Sequence, residues 1–167
     1  MKDKVNVYNY LGESIIKYQP QLLSPEFGYI NDNGILVINW GNEDEVCDAD
    51  GFLKDNTLFT EGYVITNYII PKGERICRYG NSAGLFTTPQ NSDYNNLALP
   101  YVKESIEYHE YIVSCDLKVD CYVSKGIVAP KFLSDGGAVQ YKHRQSIMLE
   151  CEDGYIKEDL TWIQKNI

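Results

Sequence analysis

The chain is short of several things, and each shortage closes off a class of function. It has no uninterrupted apolar run of the roughly 18 residues that a membrane-spanning helix needs. Behind the opening charges, Met1-Lys2-Asp3-Lys4, there is no apolar stretch of the kind a secretory leader carries. Positive charge is scarce: 15 Lys and Arg stand against 24 Asp and Glu, a net charge of −9. Phosphate backbones and anionic bilayers are held by Lys and Arg, so neither nucleic acid nor a membrane surface is an expected partner. There are only two histidines, and the five cysteines (Cys47, Cys77, Cys115, Cys121, Cys151) form no C-x-x-C pair, which argues against a zinc site. No G-x-G-x-x-G follows a strand pattern, and there is no G-x-S-x-G elbow or P-loop. Carboxylates are many, but no pair has an informative spacing. Internal repeats, low-complexity tracts and long linkers are absent too.

What remains is an ordinary globular composition. At 167 residues the chain is long enough to bury a core without staples, with 44% hydrophobic and 23% charged residues. Fourteen tyrosines suit a β-rich fold with amphipathic walls. The cysteines are expected to be buried free thiols. The alternative is a bridge between Cys115 and Cys121, which would face each other if Asp116–Asp120 formed a hairpin.

Local patterns fill in the fold. A short helix is expected around residues 9–18, and Pro20 and Pro25 interrupt regular structure beyond it. Asn31-Asp32-Asn33-Gly34 is a turn leading into a strand at Ile35–Trp40. The acidic run from Asp44 to Asp50, closed by Gly51, reads as a solvated loop. It departs from a calcium loop because Val46 and Thr57 occupy the positions of the first ligand and the bidentate acid. Tyr63–Ile70 is β-branched and aromatic. Pro71-Lys72-Gly73 then turns into Glu74–Tyr79, where side chains alternate. Tyr111–Val113 and Val119–Val123 are two more expected strands, and Ser146–Leu149 a strand or helical turn. Helical signal is confined to 103–110 and 157–165. The expectation is an α+β fold of small, mostly antiparallel sheets with a few short helices.

Two glycine-punctuated motifs carry the chemistry. The first is Pro71-Lys72-Gly73 followed by Arg78-Tyr79-Gly80-Asn81-Ser82-Ala83-Gly84-Leu85-Phe86. Gly80 and Gly84 let the backbone turn tightly and approach a ligand. Arg78 offers a planar donor fork suited to a pyrophosphate, and Phe86 an aromatic wall. A β-turn with a surface Arg and a core Phe would look the same. The second motif runs Gly126-Ile127-Val128-Ala129-Pro130-Lys131-Phe132, then Gly136-Gly137-Ala138-Val139-Gln140-Tyr141. Here Gly136 and Gly137 make a permissive turn with an amide side chain, Gln140, at its exit. A turn-adjacent amide that satisfies nearby backbone is the plainer alternative. Residues 126–132 are expected to shape the loop before Gln140 without touching substrate. The stretch from Lys125 to Arg144, with Lys131, Lys142 and His143 against Asp135 alone, is a candidate local positive spot in an acidic chain.

In this order and spacing the two motifs resemble the catalytic domain of the tuberculosis necrotizing toxin (TNT) and its relatives, over roughly residues 60–160. The resemblance implies cleavage of NAD or NADP between nicotinamide and ribose. It implies a catalytic set of Gln140, Arg78, Phe86 and His109, with Tyr79, Gly80, Gly84, Gly136, Gly137 and Tyr141 shaping the substrate cleft. No metal or prosthetic group is implied; NAD is a substrate. The chemistry is consistent with these residue types. The nicotinamide of NAD is already cationic and leaves without an acid, so the enzyme has to orient the ribose and steady an oxocarbenium-like centre. His109 is flanked by Glu107 and Glu110 and suits a surface helix end equally well; His143 reads as structural. Residues 1–60 match nothing specific and are expected to pack on the same domain as a catalytic core over 61–167.

One departure stands out. Where the family carries Arg in an Arg-[Ala/Ser]-Leu-Pro stretch, this chain has Leu97-Ala98-Leu99-Pro100. One expected cationic contact is missing, leaving open whether Lys103 or an N-terminal residue replaces it. Hydrolysis, cyclisation or ADP-ribosyl transfer on the same scaffold, and non-catalytic nucleotide or protein binding, remain distinct readings. The resemblance further implies a toxin or effector, made in the cytoplasm and exported or excised from a larger toxin, and countered by a cognate immunity protein.

Overall fold

The computed structural model describes residues 6–8, 14–17, 28–33, 36–38, 43–115, 121–161 and 163. Two hairpin-like ladders come first: β1 (Asn6–Tyr8) pairs with β2 (Ser14–Lys17), and β3 (Gly28–Ile30) with β4 (Leu36–Ile38). Residues 14–17 are thus a strand. The helix expected around 9–18 is overturned there, because β-branched Ile15 and Ile16 sit better on a pleated surface than in a helix. The strand expected at Ile35–Trp40 is present as β4.

The rest is built on one seven-stranded sheet. It comprises β5 (Val64–Tyr68), β6 (Arg75–Tyr79), β7 (Phe86–Pro89), β8 (Tyr108–Val113), β9 (Val123–Ile127), β10 (Val139–Lys142) and β11 (Ile156–Glu158). The spatial order is β11-β8-β6-β7-β10-β9-β5, and every pairing is antiparallel. The longest α-helix among the described residues is α1 (Ile147–Glu152), capped by the Ser146 hydroxyl accepting from the Leu149 N–H at 3.3 Å. Two single-turn 3₁₀ segments cover Tyr94–Asn96 and Lys103–Ser105. None of the described helices is long and apolar enough to cross a membrane.

Ile70, Ile76, Tyr111, Val113, Val123, Tyr141, Ile147 and Ile156 form the core on one face of the sheet, with α1 closing it through Ile147. A buried polar strut crosses this layer: Thr87 Oγ1 lies 2.7 Å from His143 Nε2, and His143 Nδ1 lies 3.0 Å from the Glu150 carboxylate. His143, expected to be structural, ties β7 to α1. The helical signals at 103–110 and 157–165 are mostly overturned. Among the described residues of these stretches 103–105, Thr161 and Ile163 are helical, while Tyr108–Val113 is the second strand of the sheet and Ile156–Glu158 its edge. The strand expected at Val119–Val123 instead begins at Val123 and runs into the second motif; 116–120 lie outside the described residues.

Cys115 and Cys121 are joined by a disulfide, their Cα atoms 6.2 Å apart. The expectation of free thiols holds for Cys47, Cys77 and Cys151. Burial pushes the Cys77 thiol up to about 11, so a reactive thiolate beside Arg78 is not available at neutral pH.

Candidate active site

Register explains how the two motifs meet. β6 ends in Arg78-Tyr79, the glycine loop 80–85 comes next, and Phe86 opens β7. β7 lies directly against β10, with Phe86 opposite Lys142 and Thr87 opposite Tyr141. Alternation along β10 therefore puts Gln140 and Lys142 on the face that Phe86 occupies, and sends Val139 and Tyr141 to the core face. The glycine loop is strapped down from the far side of the second motif. The backbone N–H groups of His143, Ile147 and Met148 donate to the carbonyls of Leu85, Gly84 and Ser82 at 2.7, 3.0 and 2.9 Å.

These elements enclose a cleft of about 440 Å³, an ordinary size for a small-molecule site. Arg78, Tyr79, Phe86 and Gln140 all line it, and so does Leu97. The wall around them is mainly apolar, from Ala98, Leu99, Val128, Ala129 and Phe132. Residues 126–132 thus do more than shape the approach to Gln140, since Val128, Ala129 and Phe132 face the cleft. Phe132 reaches it from a turn in which Phe132 and Leu133 both have positive φ, 53° and 58°, an uncommon conformation for side chains of this size.

Arg78 is held as a clamp. Its Nε donates to the Asn81 carbonyl at 2.7 Å and one terminal nitrogen to the Phe86 carbonyl at 2.9 Å, so the guanidinium closes the loop it precedes. Burial lowers its pKa from the ordinary value, yet a guanidinium stays charged at neutral pH. Gly84 leaves the guanidinium its place, since a Cβ there would fall 1.9 Å from it and displace it. Gly136 is required by its own turn: its φ is +65°, and a Cβ would meet the Val128 carbonyl at 2.4 Å. Gly80 and Gly137 also have positive φ; none of these four glycines, Gly80, Gly84, Gly136 and Gly137, is among the residues that line the cleft.

Gln140 is oriented from an unexpected direction. Its Nε2 donates to the backbone carbonyl of Asp50 at 3.2 Å, and the Lys142 ammonium lies 2.9 Å from the Asp50 carboxylate. The acidic run is therefore not simply a solvated loop. Cys47, Ala49, Asp50 and Gly51 line the cleft. The Asp44 carboxylate accepts from the N–H groups of Val46 and Cys47, and Asp48 from those of Asp50 and Phe52. Short acids that cap turns in this way explain the composition of the run. The loop is pinned to the sheet by Phe52, whose ring fills the space over Gly126, the residue opposite Gln140 in β9. Leu53 N–H donates to the Ile127 carbonyl and Ala129 N–H to that of Gly51, at 2.8 and 2.9 Å.

Two further expected residues also lie outside the lining. Tyr141 is in the core, stacked on Tyr68 with ring centroids 5.9 Å apart. His109 sits on β8 opposite Arg78 in register, but it does not line the cleft. Its ring nitrogens lie 2.8 Å from Glu158 and 2.7 Å from Glu107. Partial burial disfavours its cation, and the two carboxylates outweigh that and raise its pKa above the ordinary value. His109 is therefore no helix end. Tyr79 does line the cleft, against Tyr94 and Tyr108, each 4.8 Å away between centroids, and burial pushes its hydroxyl up to about 12. The positive stretch 125–144 does not form one patch. Lys125 caps the Tyr68 ring and Arg144 the Tyr122 ring, and of its cations only Lys131 lines the cleft.

Sequence reasoning missed the 47–51 turn, Tyr101 and Phe132. The available signal was the Asp50-Gly51 turn with an aromatic residue after it, which reads as a turn but carries no information about its distant partner.

No curated protein matches the chain. Among solved structures, the tuberculosis necrotizing toxin complexed with its immunity factor IFT is similar in fold, with a TM-score of 0.59 at 16% identity over 90% of this chain and 74% of that one. The model of the family described as tuberculosis necrotizing toxin matches residues 69–158, more than half of the chain and both glycine motifs. The chain therefore belongs to the tuberculosis necrotizing toxin family.

Proposed function

We propose that this protein is an NAD glycohydrolase that converts NAD and water to nicotinamide and ADP-ribose, acting as a toxin domain that depletes NAD. The observation that carries this reading is the convergence of Arg78, Phe86 and Gln140, from two motifs distant in sequence, on one cleft. Phe86 offers the nicotinamide ring a face, and a cationic ring is attracted to aromatic faces. Arg78 offers its remaining donors to the pyrophosphate. Gln140 has its NH₂ group engaged by Asp50, which leaves the carboxamide oxygen to steady the ribose as positive charge develops. NADP enters the same proposal as a second substrate. A cognate immunity protein is a proposed partner, since the solved toxin is complexed with one.

Leu97 favours a second reading of the product. It lines the cleft and is buried, so an apolar side chain faces the cleft at the position where the family pattern has a cation. A drier, more apolar wall would let an internal adenine nitrogen compete with water and give cyclic ADP-ribose.

Incubation with NAD, resolving nicotinamide, ADP-ribose and cyclic ADP-ribose, tests both. Nicotinamide and ADP-ribose in equal amounts, falling about 100-fold or more in Gln140→Ala, are the expected result. Cyclic product would establish the second reading. Tight NAD binding with no nicotinamide released would overturn both in favour of a nucleotide-binding domain.

A further inference from the structure

Asp50 is the one acidic residue among the described residues that line the cleft. It lies in neither glycine motif and outside the stretch that matches the family, residues 69–158. Two contacts fix its place. Its carbonyl accepts from Gln140 Nε2 at 3.2 Å, and its carboxylate accepts from Lys142 Nζ at 2.9 Å. Both partners project from the same face of β10. The turn carrying it is closed by Asp48, which accepts from the Asp50 N–H at 2.8 Å and the Phe52 N–H at 2.9 Å. The Asp50 side chain remains 39% exposed, so its second oxygen can meet water at the cleft.

A carboxylate in this place opposes the binding of a negatively charged dinucleotide. Its position beside Gln140 becomes most favourable when the positive charge moves from the nicotinamide ring onto the ribose, as it does while nicotinamide departs.

Resting on the NAD-cleaving reading above, we propose that Asp50 is a second catalytic residue of this site. As the glycosidic C–N bond breaks, its electron pair passes to the nicotinamide ring, which becomes neutral and leaves the ribose as an oxocarbenium cation. The Asp50 carboxylate faces that cation and accepts a hydrogen bond from the attacking water. The water oxygen forms the new bond to the anomeric carbon, and its proton passes to Asp50 and then to solvent. NAD and water thus yield nicotinamide, ADP-ribose and one proton. Lys142 holds the carboxylate in place, and the Asp50 carbonyl sets the orientation of the Gln140 amide.

Steady-state kinetics of the full chain on NAD test this with Asp50→Asn, Asp50→Ala and Lys142→Met. Asn keeps the shape and the backbone carbonyl, so the expected result is a kcat loss of about 100-fold with KM changed less than about threefold. Lys142→Met should lose far less, because the carboxylate remains. Added formate should restore nicotinamide release to Asp50→Ala but not to Gln140→Ala, a rescue that a purely structural role would not show. Asp50→Asn within about threefold of the unmodified protein overturns the proposal. So does an Asp50→Ala variant that equals Lys142→Met and ignores formate. If the unmodified protein releases no nicotinamide, the NAD-cleaving reading and this proposal fail together; turnover that survives loss of the carboxylate removes this proposal alone.

Discussion

Gly84 and Arg78 form a pair in which each explains the other. The guanidinium donates to the carbonyls of Asn81 and Phe86 and lies where a Cβ at position 84 would stand, 1.9 Å from one of its nitrogens. Gly84→Ala should therefore displace the guanidinium, raising KM for NAD about tenfold or more at a stability cost of about 1–3 kcal/mol. Kinetics beside a denaturant melt would check this, and an unchanged KM would show that Arg78 does not contact the substrate. The glycine spacing of this loop was visible in the sequence. Its cause was not, because the sequence suggests a backbone approached by ligand, whereas the atoms that crowd Gly84 belong to Arg78.

At the scale of elements, the clearest departure is β8. Tyr108-His109-Glu110-Tyr111 presents aromatic and charged residues on both faces, so neither a period of 2 nor one of 3.6 is evident locally. What makes it a strand is its ladder to β6 on one side and β11 on the other. His109 and Glu158 help join β8 to β11, and Glu107 holds the other ring nitrogen. The folded pKa of His109 lies above its ordinary value of 6.5. Its contribution to stability is therefore fully present below about pH 6.5 and disappears as pH rises through the folded pKa. Titration by NMR should show an elevated His109 pKa that falls toward the ordinary value in Glu158→Gln; identical titrations would show that the contact does not form in solution.

Over the whole molecule, the acidic balance and the Cys115–Cys121 bridge matter most. A net charge of −9 means that the cleft draws its positive character from individual residues, Arg78 and Lys131, rather than from a field over the surface. The bridge closes a short loop between β8 and β9. For so short a loop, its loss should cost about 2 kcal/mol, or about 5 °C in melting temperature for a domain of this size. A dithiothreitol-dependent drop in melting temperature, absent from a Cys115→Ser/Cys121→Ser variant, is the expected result. Coincident melts with and without reductant would mean that these thiols are free in solution.

The sequence by itself determined the β-rich character, the absence of a long apolar span, the two motifs and the membership they signal. Each of these comes from local chemistry: β-branched runs, glycine turns, and an Arg, a Phe and a Gln at fixed offsets within each motif. The tertiary structure alone decided which of these residues face one another. It paired β7 with β10, bringing Phe86 and Gln140 to one face and sending Tyr141 to the core. It laid an acidic turn from outside both motifs over Gly126, so that Asp50 reaches Gln140 across 90 residues of sequence. Contacts of that separation depend on strand register and on the shape of a distant aromatic ring, and neither leaves a periodic trace in the chain.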